Sequence, residues 1–213
     1  MFHPTGQPME RGWVGRVDGE RVIHLAAQTL QSFFLGGGGA REHAVYARGE
    51  VTLLAPIHYP PSVRVFESPG AFSFANPAAI LPPGAEAEWP RGAESVEALV
   101  RPAAVMSVGE SVGGFTMLGE LRARGLEPPK DRDFALYLGP VVVTPDELAA
   151  EDFAAQSHKV FSWADALALA AANTHLRPGD VVAGPPSRHA ELTRGAAFEL
   201  ALAGIGMLRG RVG

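Results

Sequence analysis

The chain has 213 residues, of which 46% are hydrophobic and 19% charged, a composition that suits a globular protein and excludes a mainly disordered one. Its formal net charge of −5 excludes a basic field for nucleic acid, and the absence of cysteine excludes disulfides, thiolate metal sites and a cysteine nucleophile. No stretch has the apolar length of a secretion signal or a membrane span. We therefore expect a cytoplasmic protein without a membrane or nucleic-acid partner.

The N-terminal segment carries the strongest local β signal. Residues 12–26, GWVGRVDGERVIHLA, place apolar residues on both sides of the turn dipeptide Asp18-Gly19 and predict a β-hairpin. Residues 25–34 have helix-like apolar spacing, which a run of four glycines ends. This run lacks the Gly-Lys-Ser/Thr of a phosphate-binding loop and predicts a flexible loop.

Short strand-like segments bounded by glycine or proline follow. Residues 51–55 run into Pro56, and we place a domain boundary near residue 52. Residues 162–176 predict a helix with Ser162 as its N-cap. The pattern predicts a mainly β protein with a small β-rich domain at residues 1–52 and a larger domain at 53–213. Its further strand-like segments are residues 72–74, 104–108, 115–118, 136–143 and 197–212.

Six segments, in chain order, resemble the fumarylacetoacetate hydrolase family. The most specific are KDRDFALYLGPVVVTPDEL at 130–148 and GIGMLR at 204–209. The resemblance implies a mixed β-roll, preceded by a small N-terminal β domain, and a homodimer. The remaining segments are residues 52–64, 72–80, 112–124 and 176–184.

The resemblance also implies a chemistry. Members of the family carry out metal-assisted hydrolysis, decarboxylation or isomerisation of a small β-keto or enol acid. Three carboxylates bind Mg²⁺, Mn²⁺ or Ca²⁺, and the hard cation takes up the charge of the developing enolate. A lysine adds to this stabilisation, and in the hydrolases a His/Glu pair activates water. A small carboxylic or keto acid is the ligand to expect.

The family's metal ligands are only partly present at the matching positions. Its Glu-x-Glu strand matches residues 94–106, where Leu99 and Arg101 occupy the ligand positions. A second register places Glu97 at the first of these positions. The third ligand, an Asp in the family, corresponds to Glu120. The predicted metal ligands are therefore Glu120 and Glu97.

Other functional positions are retained with changes. Lys130 matches the family's lysine, as an electrostatic catalyst or an anchor for a substrate carboxylate, or else it pairs with Asp131 or Asp133. Glu67 matches the glutamate of the water-activating pair, without its histidine. Gly184 begins the predicted substrate-binding turn, in which two prolines follow and the family's threonine is lost.

Two functions remain open from the sequence. The first is a metal-dependent enzyme of this family that uses Glu120 and Glu97 for the cation and Lys130 for the enolate charge. The second is a catalytically degenerate member that serves as a ligand-binding or partner-binding subunit, as the lost ligands and the shortened loop before Lys130 favour. Glu110, Asp131 and Asp133 are further carboxylates available to rebuild the site. The seven histidines, His158 among them, are expected to be scattered polar residues.

Overall fold

The computed structural model describes residues 1–148, Phe153 and residues 161–213, so that His158 lies outside the described residues. These residues form an eight-stranded mixed sheet, two three-stranded sheets and one two-stranded sheet. Two α-helices lie wholly within the described ranges, α1 (Leu30–Leu35) and α2 (Trp163–Ala171). The strands are β1 (Phe2–Pro4), β2 (Gly15–Asp18), β3 (Arg21–Leu25), β4 (Glu42–Ala47), β5 (Val51–Leu53), β6 (Val63–Ser68), β7 (Ala71–Ala75), β8 (Ile80–Leu81), β9 (Glu86–Ala87), β10 (Ser95–Met106), β11 (Val112–Arg124), β12 (Leu136–Val143), β13 (Val181–Ala183), β14 (Arg188–Leu192), β15 (Ala197–Leu202) and β16 (Gly206–Val212).

The predicted N-terminal hairpin is confirmed. Strands β2 and β3 are antiparallel with Asp18 opposite Arg21, and β3 also pairs with β4. The helix predicted at residues 25–34 begins later, as α1, because Thr29 caps it. The Thr29 hydroxyl accepts a hydrogen bond from the backbone N–H of Ser32 at 3.0 Å.

The predicted boundary at residue 52 falls inside a strand. β5 contains this residue and pairs antiparallel with β1. Phe34 of α1 is buried in the same apolar cluster as Val65 and Ala103 of the large sheet. The N-terminal segment therefore shares a core with the rest of the chain, and the division into two domains stays a prediction.

The strands β10 and β11 form a long antiparallel hairpin at the centre of the eight-stranded sheet, whose order is β7-β6-β13-β10-β11-β12-β8 with β14 also on β10. They have 12 and 13 residues, longer than the segments predicted from sequence. Glycines inside β11 make the strand appear shorter in the sequence than it is in the structure. A Cβ on Gly119 would lie 2.8 Å from Leu200 Cδ1, so glycine there allows β11 to pack closely rather than ending the strand.

Helix α2 begins where the sequence predicts and ends earlier. The Ser162 hydroxyl accepts a hydrogen bond from the backbone N–H of Asp165 at 3.2 Å. The helix stops at Ala171 rather than residue 176, because Asn173 turns the chain with a φ of 58°. Its Trp163 packs in the main core. No helix in the described ranges is long and apolar enough to cross a membrane.

Candidate functional site

One face of the central hairpin carries a row of polar side chains. Leu99 of β10 lies opposite Glu120 of β11, and Glu97 lies opposite Arg122. Side chains alternate between the two faces of a strand, so Arg101, two residues after Leu99, shares their face. In either register of the resemblance, 99/101 or 97/99, the positions that match the family's Glu-x-Glu ligands therefore face the same side as Glu120.

Arg101 is completely buried, with 0% of its surface exposed. Its Nε donates to Oε2 of Glu120 at 2.6 Å, and its Nη2 donates to Oε1 of Glu67 at 2.9 Å. Its Nη1 donates to the backbone carbonyls of Phe66 at 3.0 Å and Gly184 at 3.1 Å. A buried cation is tolerated only when it is paired and hydrogen-bonded, and these four acceptors satisfy that requirement.

Glu120 is held by two arginines. It is 2% exposed, and its second oxygen, Oε1, accepts from Nε of Arg122 at 2.9 Å. Arg122 also donates through Nη2 to Glu67. Partial burial alone would lower the pKa of Arg122, but the charge and hydrogen bond of Glu120, with those of Glu67, raise it above its ordinary value. Each oxygen of Glu120 is thus engaged by a different guanidinium.

Glu67 is the carboxylate that faces solvent, with 43% of its side chain exposed. Its Oε1 accepts from Arg101 and Arg122 and lies 3.7 Å from Nη1 of Arg132, which also pairs with Asp131. Partial burial alone would raise the pKa of Glu67, but the charge of Arg101 and the hydrogen bond and charge of Arg122 lower it below its usual value. The arginine–glutamate cluster consists of Arg101, Arg122, Arg132, Glu67 and Glu120.

The carbonyl of Gly184 reaches Arg101 because the strand beside β10 is interrupted there. β14 pairs with residues 96–100 of β10, and β13 pairs with residues 103–105. Pro102 lies in the gap, and its carbonyl accepts from the N–H of Gly184 at 2.8 Å. A proline has no N–H to leave unpaired at such a gap, so it fits inside a central strand here.

Three of the predicted site residues meet at Arg101, namely Glu67, Glu120 and Gly184. Arg122 and Arg132 were not among the residues predicted from the sequence. The alternation of β11 could have indicated Arg122, which is two residues from Glu120 on the same face. The site roles predicted for Glu67 and Gly184 stay predictions.

The other two predicted residues lie apart from this meeting point. Glu97 pairs with Arg124. Lys130 is 73% exposed and pairs with Asp133 at 2.9 Å, one of the alternatives that the sequence left open. Among the described residues, no side-chain hydrogen bond or ion pair joins Glu97 or Lys130 to the arginine–glutamate cluster.

The donor set of this region does not fit a divalent cation. Within the described ranges, no three His, Asp or Glu side chains are grouped to hold a metal. The predicted ligands Glu120 and Glu97 are each paired with arginine and are not brought together. Ca²⁺ takes six to eight oxygen ligands, and a guanidinium beside Glu120 repels any cation. The further carboxylates are also paired: Glu110 with His175, Asp131 with Arg132 and Asp133 with Lys130.

The chain matches no protein-family model and no curated protein. Its fold does match solved structures over nearly its whole length. Maleylpyruvate hydrolase from Sphingobium sp. SYK-6 gives a TM-score of 0.76 at 16% identity, over 95% of this chain and 96% of that one. The same enzyme in complex with manganese(II) ion and pyruvate gives 0.75 at 17% identity, over 95% and 96%.

An isomerase has the same fold. The 5-carboxymethyl-2-hydroxymuconate delta-isomerase from Mycobacterium smegmatis gives a TM-score of 0.73 at 16% identity, over 94% of this chain and 93% of that one. These neighbours are fumarylacetoacetate hydrolase-family hydrolases and isomerases. The mixed β-roll predicted from the sequence is confirmed. The chain therefore has the fold of the fumarylacetoacetate hydrolase family.

Proposed function

We propose that this protein binds a small carboxylate without a metal ion, as a catalytically degenerate form of the fumarylacetoacetate hydrolase fold. The observation that carries the proposal is the buried guanidinium of Arg101. In one of the two registers of the family resemblance it matches a ligand position, and it donates to Glu120, the residue that matches a further ligand. Arg101 thus supplies a fixed positive charge where the family binds a cation.

The energetics of the cluster oppose a metal. A cation that approached Glu120 would have to displace Arg101 or Arg122 from a carboxylate oxygen. Removing one partner of a buried ion pair costs about 3–5 kcal/mol, because the other charge is left uncompensated. The same arginines suit an organic acid, since a guanidinium matches the planar geometry of a carboxylate.

The proposed ligand is a small keto or carboxylic acid. The Sphingobium hydrolase with this fold has been crystallised with pyruvate, which supports this class. We propose a second copy of the chain as the macromolecular partner, as the family resemblance implies. An acidic chain of net charge −5 makes nucleic acid an unsuitable partner.

The competing function is metal-assisted hydrolysis, decarboxylation or isomerisation of a β-keto or enol acid. The match to hydrolase and isomerase structures over 94–95% of the chain favours it. If the protein has this competing function, Lys130 and Glu67 are the catalytic residues. The lowered pKa of Glu67 makes it a weak general base at neutral pH.

One pair of measurements separates the two functions. The first is calorimetric titration of oxalate, a mimic of an enolate acid, into the protein in a chelating buffer. The second is an assay of acylpyruvate hydrolysis and oxaloacetate decarboxylation with added Mn²⁺, against a protein-free Mn²⁺ control. We expect saturable oxalate binding without metal and no turnover above the control. Mn²⁺-dependent turnover that disappears in Lys130→Ala would establish the competing function.

A further inference from the structure

Three guanidiniums converge on one carboxylate oxygen of Glu67. Nη2 of Arg101 lies 2.9 Å from Oε1, Nη2 of Arg122 donates to the same atom, and Nη1 of Arg132 lies 3.7 Å away. Arg101 is fully buried beneath it, whereas Arg122 and Arg132 are partly exposed. This is the geometry of a carboxylate-binding site that is occupied by the chain's own Glu67 carboxylate.

The remaining contacts of the arginines do not depend on Glu67. Arg101 keeps Glu120 and two backbone carbonyls, Arg122 keeps Glu120, and Arg132 keeps Asp131. If Glu67 moved out to solvent, three guanidiniums would face two carboxylates. The site would then carry one excess positive charge, which one carboxylate group of a ligand would neutralise.

The backbone at Glu67 is irregular in a way that suits movement. The pairing of β6 with β7 shifts register between Phe66 and Ser68, so Glu67 has no opposite residue. A β-bulge of this kind re-aims a side chain without changing the pairing on either side of it. The Glu67 side chain can therefore leave the arginines while Phe66 and Ser68 stay paired with β7.

We infer that Arg101, Arg122 and Arg132 form a binding site for a small carboxylate, and that the ligand enters by displacing Glu67. The inference rests on the proposed function and assigns its ligand a place in the fold. The exchange replaces one carboxylate by another, and the buried guanidinium of Arg101 keeps its ion pair with Glu120 while Glu67 is away. A second oxygen group of the ligand would face solvent beside Arg132.

The test is calorimetric titration of oxalate, in a chelating buffer of low ionic strength, into the wild type and Glu67→Gln. The variant keeps the shape of the side chain and removes the internal competitor's charge. We expect it to bind oxalate up to about fivefold more tightly, since an exposed ion pair is worth up to about 1 kcal/mol and tenfold corresponds to 1.4 kcal/mol. Glu67→Asp, which shortens the reach of the carboxylate, should also bind more tightly.

Two further variants serve as controls. One controls for the loss of a negative charge, and the other tests whether oxalate binds at the three arginines. Glu199→Gln removes the same charge from the exposed ion pair with Arg209, outside the arginine–glutamate cluster, and should bind oxalate as the wild type does. Arg132→Gln removes a guanidinium that is partly exposed, and should weaken oxalate binding about tenfold. Circular dichroism confirms that each variant is folded.

The outcomes separate this inference from the proposed function. If the wild type binds oxalate and Glu67→Gln and Glu67→Asp match Glu199→Gln, displacement of Glu67 is wrong and metal-free binding stands. If only Glu67→Gln binds, the ligand does not displace Glu67 in the natural protein, and the inference is overturned. If no variant binds oxalate, both proposals fail. Sulfate binding as tight as oxalate binding would contradict a site for carboxylates.

Discussion

Arg101 and Glu120 stabilise the protein only as a pair, because each is almost fully buried. Loss of one partner leaves a buried charge, whereas replacing both by apolar side chains is often close to neutral. We predict that Arg101→Leu lowers the free energy of unfolding by about 3–5 kcal/mol, and that Arg101→Leu/Glu120→Leu recovers most of this loss. Urea denaturation measures both.

The exposed pair of Arg209 and Glu199 is the control for this comparison, since its side chains are 68% and 55% exposed. Arg209→Leu should change the free energy of unfolding by less than about 1 kcal/mol. Equal effects of Arg101→Leu and Arg209→Leu would contradict a stabilising buried pair.

The ion pairs of Glu67 make stability depend on acid pH. Its pKa lies below the ordinary value of 4.5 in the folded chain, so its contribution is present above that value and is lost as pH falls through the lowered pKa. We predict that the wild type is more stable than Glu67→Gln at pH 7 by less than about 1 kcal/mol, since the group is half exposed. The difference should shrink in acid. Melting temperatures from pH 7 downward test this, and a difference unchanged in strong acid would contradict it.

At the scale of the elements, the close packing of β11 depends on Gly119. A Cβ there would lie 2.8 Å from Leu200 Cδ1 and 3.3 Å from Tyr137 Cβ. We predict that Gly119→Ala lowers the free energy of unfolding by about 1–3 kcal/mol, the usual cost of overpacking. Gly70→Ala, which meets no atom within 4 Å, is the control and should change stability by less than about 0.5 kcal/mol in urea denaturation. If Gly119→Ala and Gly70→Ala change the free energy of unfolding equally, β11 can shift to accommodate the added Cβ, and the prediction is wrong.

The elements also show which parts of the fold a sequence can predict. The Asp18-Gly19 turn and the Ser162 cap are local signals, and both correspond to observed element ends. The length of β10 is not local, because Pro102 is tolerated only where the neighbouring strand is interrupted. Glycines are required in β11 because residues distant in sequence pack closely against them. In the sequence alone, these glycines resemble strand ends.

The candidate site also has one part that the sequence predicts and one part that it does not. One of the two registers of the family's motif places Leu99 and Arg101 at ligand positions, and the structure shows Arg101 beside Glu120. The convergence of Arg122 and Arg132 on Glu67 depends on β11, on the loop that follows it and on β6. Contacts between residues so far apart in sequence follow from strand register, which no single motif encodes.

At the scale of the whole molecule, the chain shares its fold with the hydrolase and isomerase structures, and the proposed function gives one face a different chemistry, as fold and function are separable. Positions 99, 101 and 120 share that face. We predict that Leu99→Glu/Arg101→Glu binds Mn²⁺, because three carboxylates would then meet there. Linkage gives about 2.7 kcal/mol of stabilisation at a hundredfold excess over Kd. The thermal shift should disappear on adding Glu120→Gln. A folded double variant without a Mn²⁺-dependent shift would contradict the assigned position of Arg101.

The most direct test of the account is a thermal-shift titration of the chelator-stripped wild type with Mg²⁺, Mn²⁺ and Ca²⁺. The guanidinium of Arg101 beside Glu120 predicts no saturable rise in melting temperature up to millimolar concentrations of any of the three. A saturable rise that is abolished in Glu120→Gln would show that a cation binds at Glu120, and would contradict the claim that arginine takes its place.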